Sequence, residues 1–510
     1  MTRSAAWALV LLFLGGSLLR GQPSLDSLGI VVQGASREYS FTNKGSAFLY
    51  GETNAPNRTS WQGFNAGGHE FLDDYILVVD GRPVDRASAV TTVYPDYLVR
   101  AYPEGIIEEV HPADTVALLA IHVICQSGPA RVEIIPFFTD FRSRDDCVLH
   151  DSGGVMLLAR KNHQRRTPRE NYPVWLAVHG SGFTFDRTET RQGNQYSPFW
   201  MASHASRRRI ITFALADKQA DARALANGYE RKQKGYLAAR RRRMERLLAE
   251  SEVVLSDPRL TKALAWAKLS LDALIMDQGM HGIFAGLPWF NNYWGRDTFI
   301  SLPGAALVTG RFDEARSILL SFGAFQNEDT RSPNYGRIPN LITPTEKIYN
   351  TADGTPRFVL MAREYVERSG DTAFIRAIYP IIRRAMVGTL LQHKDSLSFL
   401  THADAESWMD AVGPNGPWSP RGNRANDIEA LWLQQIEASA WFARQMGEDM
   451  DADIWERMRV DCRRNLIHMF LTGAENRVVD RLRDDGTQDT TMRPNQIFLA
   501  PVLDDHTRAN

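Results

Sequence analysis

Three short stretches in the second half of the chain set carboxylates beside arginines and tryptophans. They are Tyr293-Trp294-Gly295-Arg296-Asp297-Thr298, Glu406-Ser407-Trp408-Met409-Asp410, and Pro420-Arg421-Gly422 with Ile428-Glu429-Ala430-Leu431-Trp432 just beyond. Carboxyl groups move protons, a guanidinium fork grips paired oxygens, and indole faces stack on apolar ring faces. Cleavage of a glycosidic bond needs this combination. One carboxylic acid protonates the departing oxygen, a second carboxylate activates water or attacks carbon, and polar and aromatic groups hold the ring.

Asp410 is the best candidate acid, because Trp408-Met409 and Ala411-Val412 flank it. Apolar neighbours predict a carboxyl that keeps its proton near neutral pH. A turn role is equally open from the local sequence, since Gly413-Pro414 follows. Arg296 and Asp297 precede a helical pattern. Asp297 can cap that helix, and the pair can also grip adjacent hydroxyls of one sugar. Asn350 and Asp353 lie in Tyr349-Asn350-Thr351-Ala352-Asp353, where capping and sugar contact are both open. Trp289 and Trp418 are either stacking surfaces or core.

In that order the clusters resemble the glucosidase domain of glycogen debranching enzymes, the amylo-α-1,6-glucosidase family, over roughly residues 257–500. The resemblance implies a helical barrel of the (α/α)₆ type, with Asp410 as the acid of a Trp-Met-Asp motif. It implies that Arg296 and Asp297, with Trp294 and Trp408, hold a terminal glucose, and that the stretch containing Asn350 and Asp353 lines the pocket. Arg421 and Glu429 match the family's Pro-Arg-Gly and the helix after it. Asp427 stands where the family has Glu, and Glu429 where it has Asn or Gln. Inversion at the anomeric carbon is implied, with carboxyls roughly 6.5–9.5 Å apart around a water. The expected activity is glucose release from α-glucan branches. A glucoamylase-like or trehalase-like exo-glycosidase, or a non-catalytic α-glucan-binding protein, are the alternatives.

The elements that must position these residues fall into three parts of an α+β multidomain chain. Residues 23–220 show short strands and turns, the pattern of an antiparallel β-sandwich. Tyr75–Val79 runs into the hairpin signal Asp80-Gly81, and Thr115–Cys125 followed by Val132–Phe138 reads as a strand pair. The sandwich resembles the N-terminal domain that accompanies such glucosidase domains. Residues 221–256 form a proline-free linker helix through Glu252. Its run Arg240-Arg241-Arg242-Arg243 reads as a solvated face. Residues 257–510 are helical, with apolar residues such as Leu260, Leu264, Ala267, Leu271 and Leu274 at three- and four-residue steps. Periodicity alone shows helices there; the barrel comes from the resemblance.

Composition sets the remaining bounds. With 44% hydrophobic and 23% charged residues the chain is an ordinary globular one. Its net charge of −1 provides no field to draw nucleic acid. Arg3, the apolar run Ala5–Leu14 and Gly15-Gly16-Ser17 predict a signal peptide over residues 1–22, and so a secreted or periplasmic protein with no membrane span after cleavage. Cys125, Cys147 and Cys462 suggest neither a disulfide framework nor a zinc site, and one bridge between Cys125 and Cys147 is open. Acid–base hydrolysis requires no cofactor and no metal, and the expected partner is an α-glucan or oligosaccharide.

Family members continue with several helices beyond the point matching Asn510, and their general base lies in that later segment. No residue here inherits the base by motif, and Glu406 and Glu429 are the fallback candidates. The expectation is a truncated barrel that is open on one side, with apolar faces such as that of Ile454–Leu471 partly exposed. Weak sugar binding, poor turnover and aggregation would follow.

Overall fold

The structure, a computed structural model, describes residues 23–500 apart from 60, 67–68, 139–140, 161–173, 344–345 and 473–476. The signal-peptide segment lies outside the described residues. The first domain is an antiparallel sandwich. Its nine-stranded sheet is centred on Ile106–Pro112, Leu118–Cys125 and Arg208–Ala216. Across the core lie a five-stranded sheet built around Val132–Phe137 and a four-stranded sheet from Glu38 to Leu72. Asp80 and Gly81 both take positive φ, as a two-residue hairpin between Asp74–Val79 and Arg82–Pro83 requires.

Leu118–Cys125 and Val132–Phe137 do not pair, contrary to the sequence reading. The first pairs with Ile106–Pro112 and Arg208–Ala216, and the second crosses to the other sheet beside Asp74–Val79. The unbroken apolar run from Leu118 is explained by cover on both faces of the large sheet. One face meets the sandwich core and the other meets the linker helix.

That helix, α1 (Gln219–Glu250), joins the domains. Ala222, Ala226 and Tyr229 pack on the sheet, while Met244, Leu247 and Leu248 pack on Ala265 and Leu269 of α2 (Pro258–Leu274). Between these stripes the arginine run is solvated only in part: Arg242 is exposed, while Arg240 and Arg243 turn inward. Arg240 donates to the Thr42 carbonyl at 2.8 Å and to Asp114 at 3.2 Å, and Arg243 donates to Asp114 at 2.5 and 2.9 Å. Arg243 also pairs with Asp272 of α2, which is joined by Lys44 at 3.2 Å and Arg311 at 3.0 Å. Two domains and their linker therefore share one buried knot of charge.

Beyond α2 the helices are α3 (Gly295–Leu302), α4 (Phe312–Gly323), α5 (Gly354–Ser369), α6 (Thr372–Gln392), α7 (Asn426–Met446) and α8 (Asp449–Phe470). These make seven α-helices in this domain among the described residues. α3 packs on α5, α5 on α7, and α7 on the 3₁₀ turn Pro494–Leu499. α4 and α6 lie against α5, and α8 lies against α7. Alternate helices thus form an inner row with their N-terminal ends together. Pro303 lacks the N–H that would continue α3, and the chain relaxes into a π-helical turn, Pro303–Leu307.

The apolar residues of α8 are covered along one stripe and exposed beside it, in keeping with the partial exposure expected. Trp455, Met458, Cys462, Leu466 and Phe470 are buried, and Met450, Ile454 and Val460 are its large apolar residues left in solvent. The three cysteines are buried, and none of them forms a disulfide. Among the described residues no helix is long and apolar enough to cross a membrane.

Burial alone would raise the Asp272 carboxyl, but Lys44, Arg243 and Arg311 outweigh it and hold it down to about 2. A depressed carboxyl contributes stability above its unfolded value near ~3.9 and loses it as pH falls through the folded value. The urea midpoint should therefore fall between about pH 4 and pH 2. Asp272→Asn should cost about 3–5 kcal/mol at pH 7, because three cations then face one another, and should flatten that acid limb. An unchanged midpoint in the variant would show that the knot does not hold the domains.

Candidate active site

The N-terminal ends of α3, α5 and α7 meet the loops before them, and Arg296 stands at the junction. It lies in the first turn of α3, which is preceded by the strand Phe290–Trp294. Gly295 permits this entry, because a Cβ there would sit 2.4 Å from the Pro339 carbonyl oxygen. The Arg296 guanidinium is buried, and each of its three nitrogens has a partner. Nε donates to both oxygens of Asp353 at 3.0 and 2.8 Å, Nη1 to Asp410 at 2.6 Å, and Nη2 to the Ser407 carbonyl at 2.8 Å. Arg296 therefore pins three segments and has no fork to spare for a sugar.

Asp353 is 1% exposed and makes no side-chain cap bond, so it is neither the expected cap nor a sugar contact. It is the counter-charge that allows Arg296 to be buried, with Arg357 at 3.6 Å. Asp297 is not the cap either. It lies in the first turn of α3, exposed. Partial desolvation, with help from Asp353 and Asp410, raises its carboxyl above the ordinary value despite Arg296. Asn350 is exposed and accepts from Asn340 at 3.1 Å.

The loop bearing Asp410 is held at several points. Both oxygens of Glu406 take a forked bond from Arg337 at 2.8 and 3.1 Å, and the Glu406 carbonyl accepts from the Ala352 N–H at 2.9 Å. Trp408 donates from Nε1 to Asn495 Oδ1 at 3.0 Å, and Asn495 is buried. Asp410 ends this loop with its side chain 44% exposed. Its neighbour is a guanidinium and solvent, not the apolar setting that its flanking residues suggested.

The aromatic groups sit in the open. Trp408, Trp289 and Trp418 are exposed, so the last two are not core. Trp294 is half-buried with Phe290 edge-on at 6.0 Å. Trp418 lies over Gly413, where a Cβ would come within 2.7 Å of the indole.

Two expected binding residues are withdrawn from the site. Arg421 is buried, with Nη1 on Asp480 at 2.5 Å and Nη2 on Asp427 at 2.9 Å. Asp480 also takes Arg493 at 2.6 Å, so this knot fixes the start of α7 to the chain entering Pro494–Leu499. Glu429 is buried on α7, accepts one bond from the Leu400 N–H at 3.0 Å, and is pushed up by desolvation. It is a core acid, not a sugar ligand or base. Glu406 is occupied by Arg337, which holds it below the usual range against burial. Neither fallback base is free.

Sequence reasoning missed Arg337, Asn340, Asp480 and Asn495. Only Asn495 carried a signal, in Arg493-Pro494-Asn495-Gln496; the others act on loops far away in sequence.

Residues 256–508, the helical domain with these clusters, match the family model described as amylo-alpha-1,6-glucosidase. This domain belongs to the amylo-α-1,6-glucosidase family. Over 128 residues the chain is 32% identical to the glycogen debranching enzyme of Saccharomyces cerevisiae, a stretch covering 24% of this chain and 8% of the yeast protein. The chain thus spans a small part of that relative's length. In fold it is similar to a bacterial glucoamylase solved in complex with acarbose. The TM-score is 0.58 at 10% identity, over 92% of this chain and 78% of the other. The glucosidase family and the glucoamylase-like barrel agree with the fold and family expected from the sequence.

Glu429→Gln tests the reassignment of that residue. A carboxyl raised by burial makes the native state bind the extra proton. Stability is then fullest below the unfolded value near ~4.3 and declines as pH rises. Glu429→Gln should raise the melting temperature at pH 8, with the gain shrinking toward pH 4, and leave maltooligosaccharide affinity unchanged. A selective loss of sugar affinity in a normally melting variant would return Glu429 to the site.

Proposed function

We propose that this chain is a glycoside hydrolase that releases glucose from α-glucan branches, of the amylo-α-1,6-glucosidase type. The observation that carries the reading is the clamped Arg296, which sets the exposed carboxyls Asp297 and Asp410 on one rim beside Trp294 and Trp408. The family match supports the substrate class. In this reading Asp410 donates the proton to the departing oxygen as that oxygen's bond to the anomeric carbon breaks, and a water molecule bonds to the carbon and gives its own proton to solvent. Asp297, with an upward-shifted carboxyl and its oxygens free of Arg296, takes the sugar hydroxyls. Trp294 and Trp408 supply apolar faces, and Asn350 lies at the exposed edge.

A second assignment rests on that same shift. Asp297 would be the proton donor, and the ion-paired Asp410 would hold the ring. The segment Arg3 to Ser17 supports export, so the substrate would be met outside the cytoplasm.

Glucose release from α-1,6, α-1,4 and α,α-1,1 glucosides should be strongest on the α-1,6 linkage. Asp410→Asn should lower kcat by about 100-fold or more with KM little changed, as expected for loss of general acid catalysis. Asp297→Asn should act mainly on KM. The reverse pattern makes Asp297 the acid. Full turnover in both variants overturns the site. Preference for another linkage favours a glucoamylase-like or trehalase-like enzyme, and binding without release a glucan-binding protein.

A further inference from the structure

A second cluster of chemically competent side chains lies far from this rim, on the sandwich. Glu109 and His111 alternate along the strand Ile106–Pro112, and so share a face. His122 is the direct cross-strand partner of Glu109 on Leu118–Cys125. The face is the one α1 covers, since His122 Nε2 lies 3.2 Å from the Tyr229 hydroxyl. Glu109 Oε2 is 3.1 Å from His111 Nε2 and 3.3 Å from His122 Nδ1, and the three donor atoms lie within 4.8 Å of one another.

We propose that Glu109, His111 and His122 bind a divalent cation of the zinc class where the sandwich meets the linker helix. Two imidazoles and one carboxylate form a zinc ligand set that leaves one position for water. Zinc bonds of about 2.0–2.2 Å in a tetrahedron put neighbouring ligand atoms about 3.3–3.5 Å apart, close to the two separations observed. The outer contacts suit ligands as well. His111 stacks on Tyr97 with centroids 4.9 Å apart and 9° between planes, which fixes its ring. With His122 bound through Nδ1, its Nε2–H donates to the Tyr229 oxygen, the second-shell bond that sets tautomer and orientation.

His122 is 1% exposed, whereas the Glu109 side chain is 26% exposed and gives a way in. Arg208 stands 3.5 Å from His122 Nδ1, but it is exposed and free to swing aside as an ion seats. The expectation of no metal came from linear motifs, and only strand pairing brings these three residues together.

The test uses the full chain after chelator treatment and dialysis. Zinc titrated by calorimetry should bind at one equivalent and raise the melting temperature. Cobalt(II) should give the intense visible absorption of a tetrahedral site. Glu109→Gln and His111→Gln should each abolish both signals, while Tyr229→Phe should weaken zinc about 10-fold. Metal-free melting curves show whether each variant folds, and Glu109→Gln, nearly isosteric, serves if the histidine variant does not. Absence of saturable binding by the wild type, or binding undiminished in the folded ligand variants, overturns the site and leaves a hydrogen-bonded triad.

Discussion

A guanidinium carries five donors in one plane and cannot shed its charge, so burying Arg296 dictates what surrounds it. Asp353 must be present because an uncompensated buried charge costs several kcal/mol, on the order of the full strength of a broken buried pair. The Ser407 carbonyl must point inward, because a spare N–H would otherwise go unmet. These demands bring together the start of α3, the start of α5 and the loop before Asp410, which lie 57 and 114 residues from Arg296 in sequence. The rim is a consequence of that clamp. Asp297 and Asp410 stand where they do because their neighbours in the chain are tied to Arg296.

The same device recurs at two other places with different partners. Arg421 gathers Asp427 and Asp480 and so locks α7 to the chain leading into Pro494–Leu499. Arg243 gathers Asp114 and Asp272 and locks the sandwich to the helical domain. In each case the arginine is the hub because its planar fork can satisfy two carboxylates at once, which a lysine cannot. Hubs of this kind also explain why motif residues that look made for sugar are sealed inside. A Pro-Arg-Gly segment reports a required charge as readily as a required contact.

The sequence made legible what depends on local pattern and cluster order. The sandwich, the linker helix and the helical domain were all read from it. It hid what depends on pairing across distance. Arg240 looked solvated because its neighbours along the helix are charged, yet its side chain ends under Thr42 and Asp114, 198 and 126 residues away. Asp353 looked like a cap because it precedes a helix, but a counter-charge in that position has the same local appearance. The strand Phe290–Trp294 has two asparagines and little alternation. It forms because His281–Gly286 and Leu341–Ile342 flank it, and it carries Trp294 into the site.

The linker helix connects these scales. At 32 residues it is about 48 Å long, a rigid rod at that length. Tyr229 rests on the sheet beside His122, Arg240 and Arg243 sit in the charge knot, and Met244, Leu247 and Leu248 pack on α2. Each segment of one element thus touches a different part of the molecule. The angle at which α2 leaves the sandwich is set by all three contacts together. From α2 the chain runs directly into the small sheet whose third strand ends at Trp294, so the placement of the rim is continuous with the sandwich through a few buried contacts. Among the described residues the first domain contributes none to the rim, and its physical role there is to fix the frame from which α3 begins.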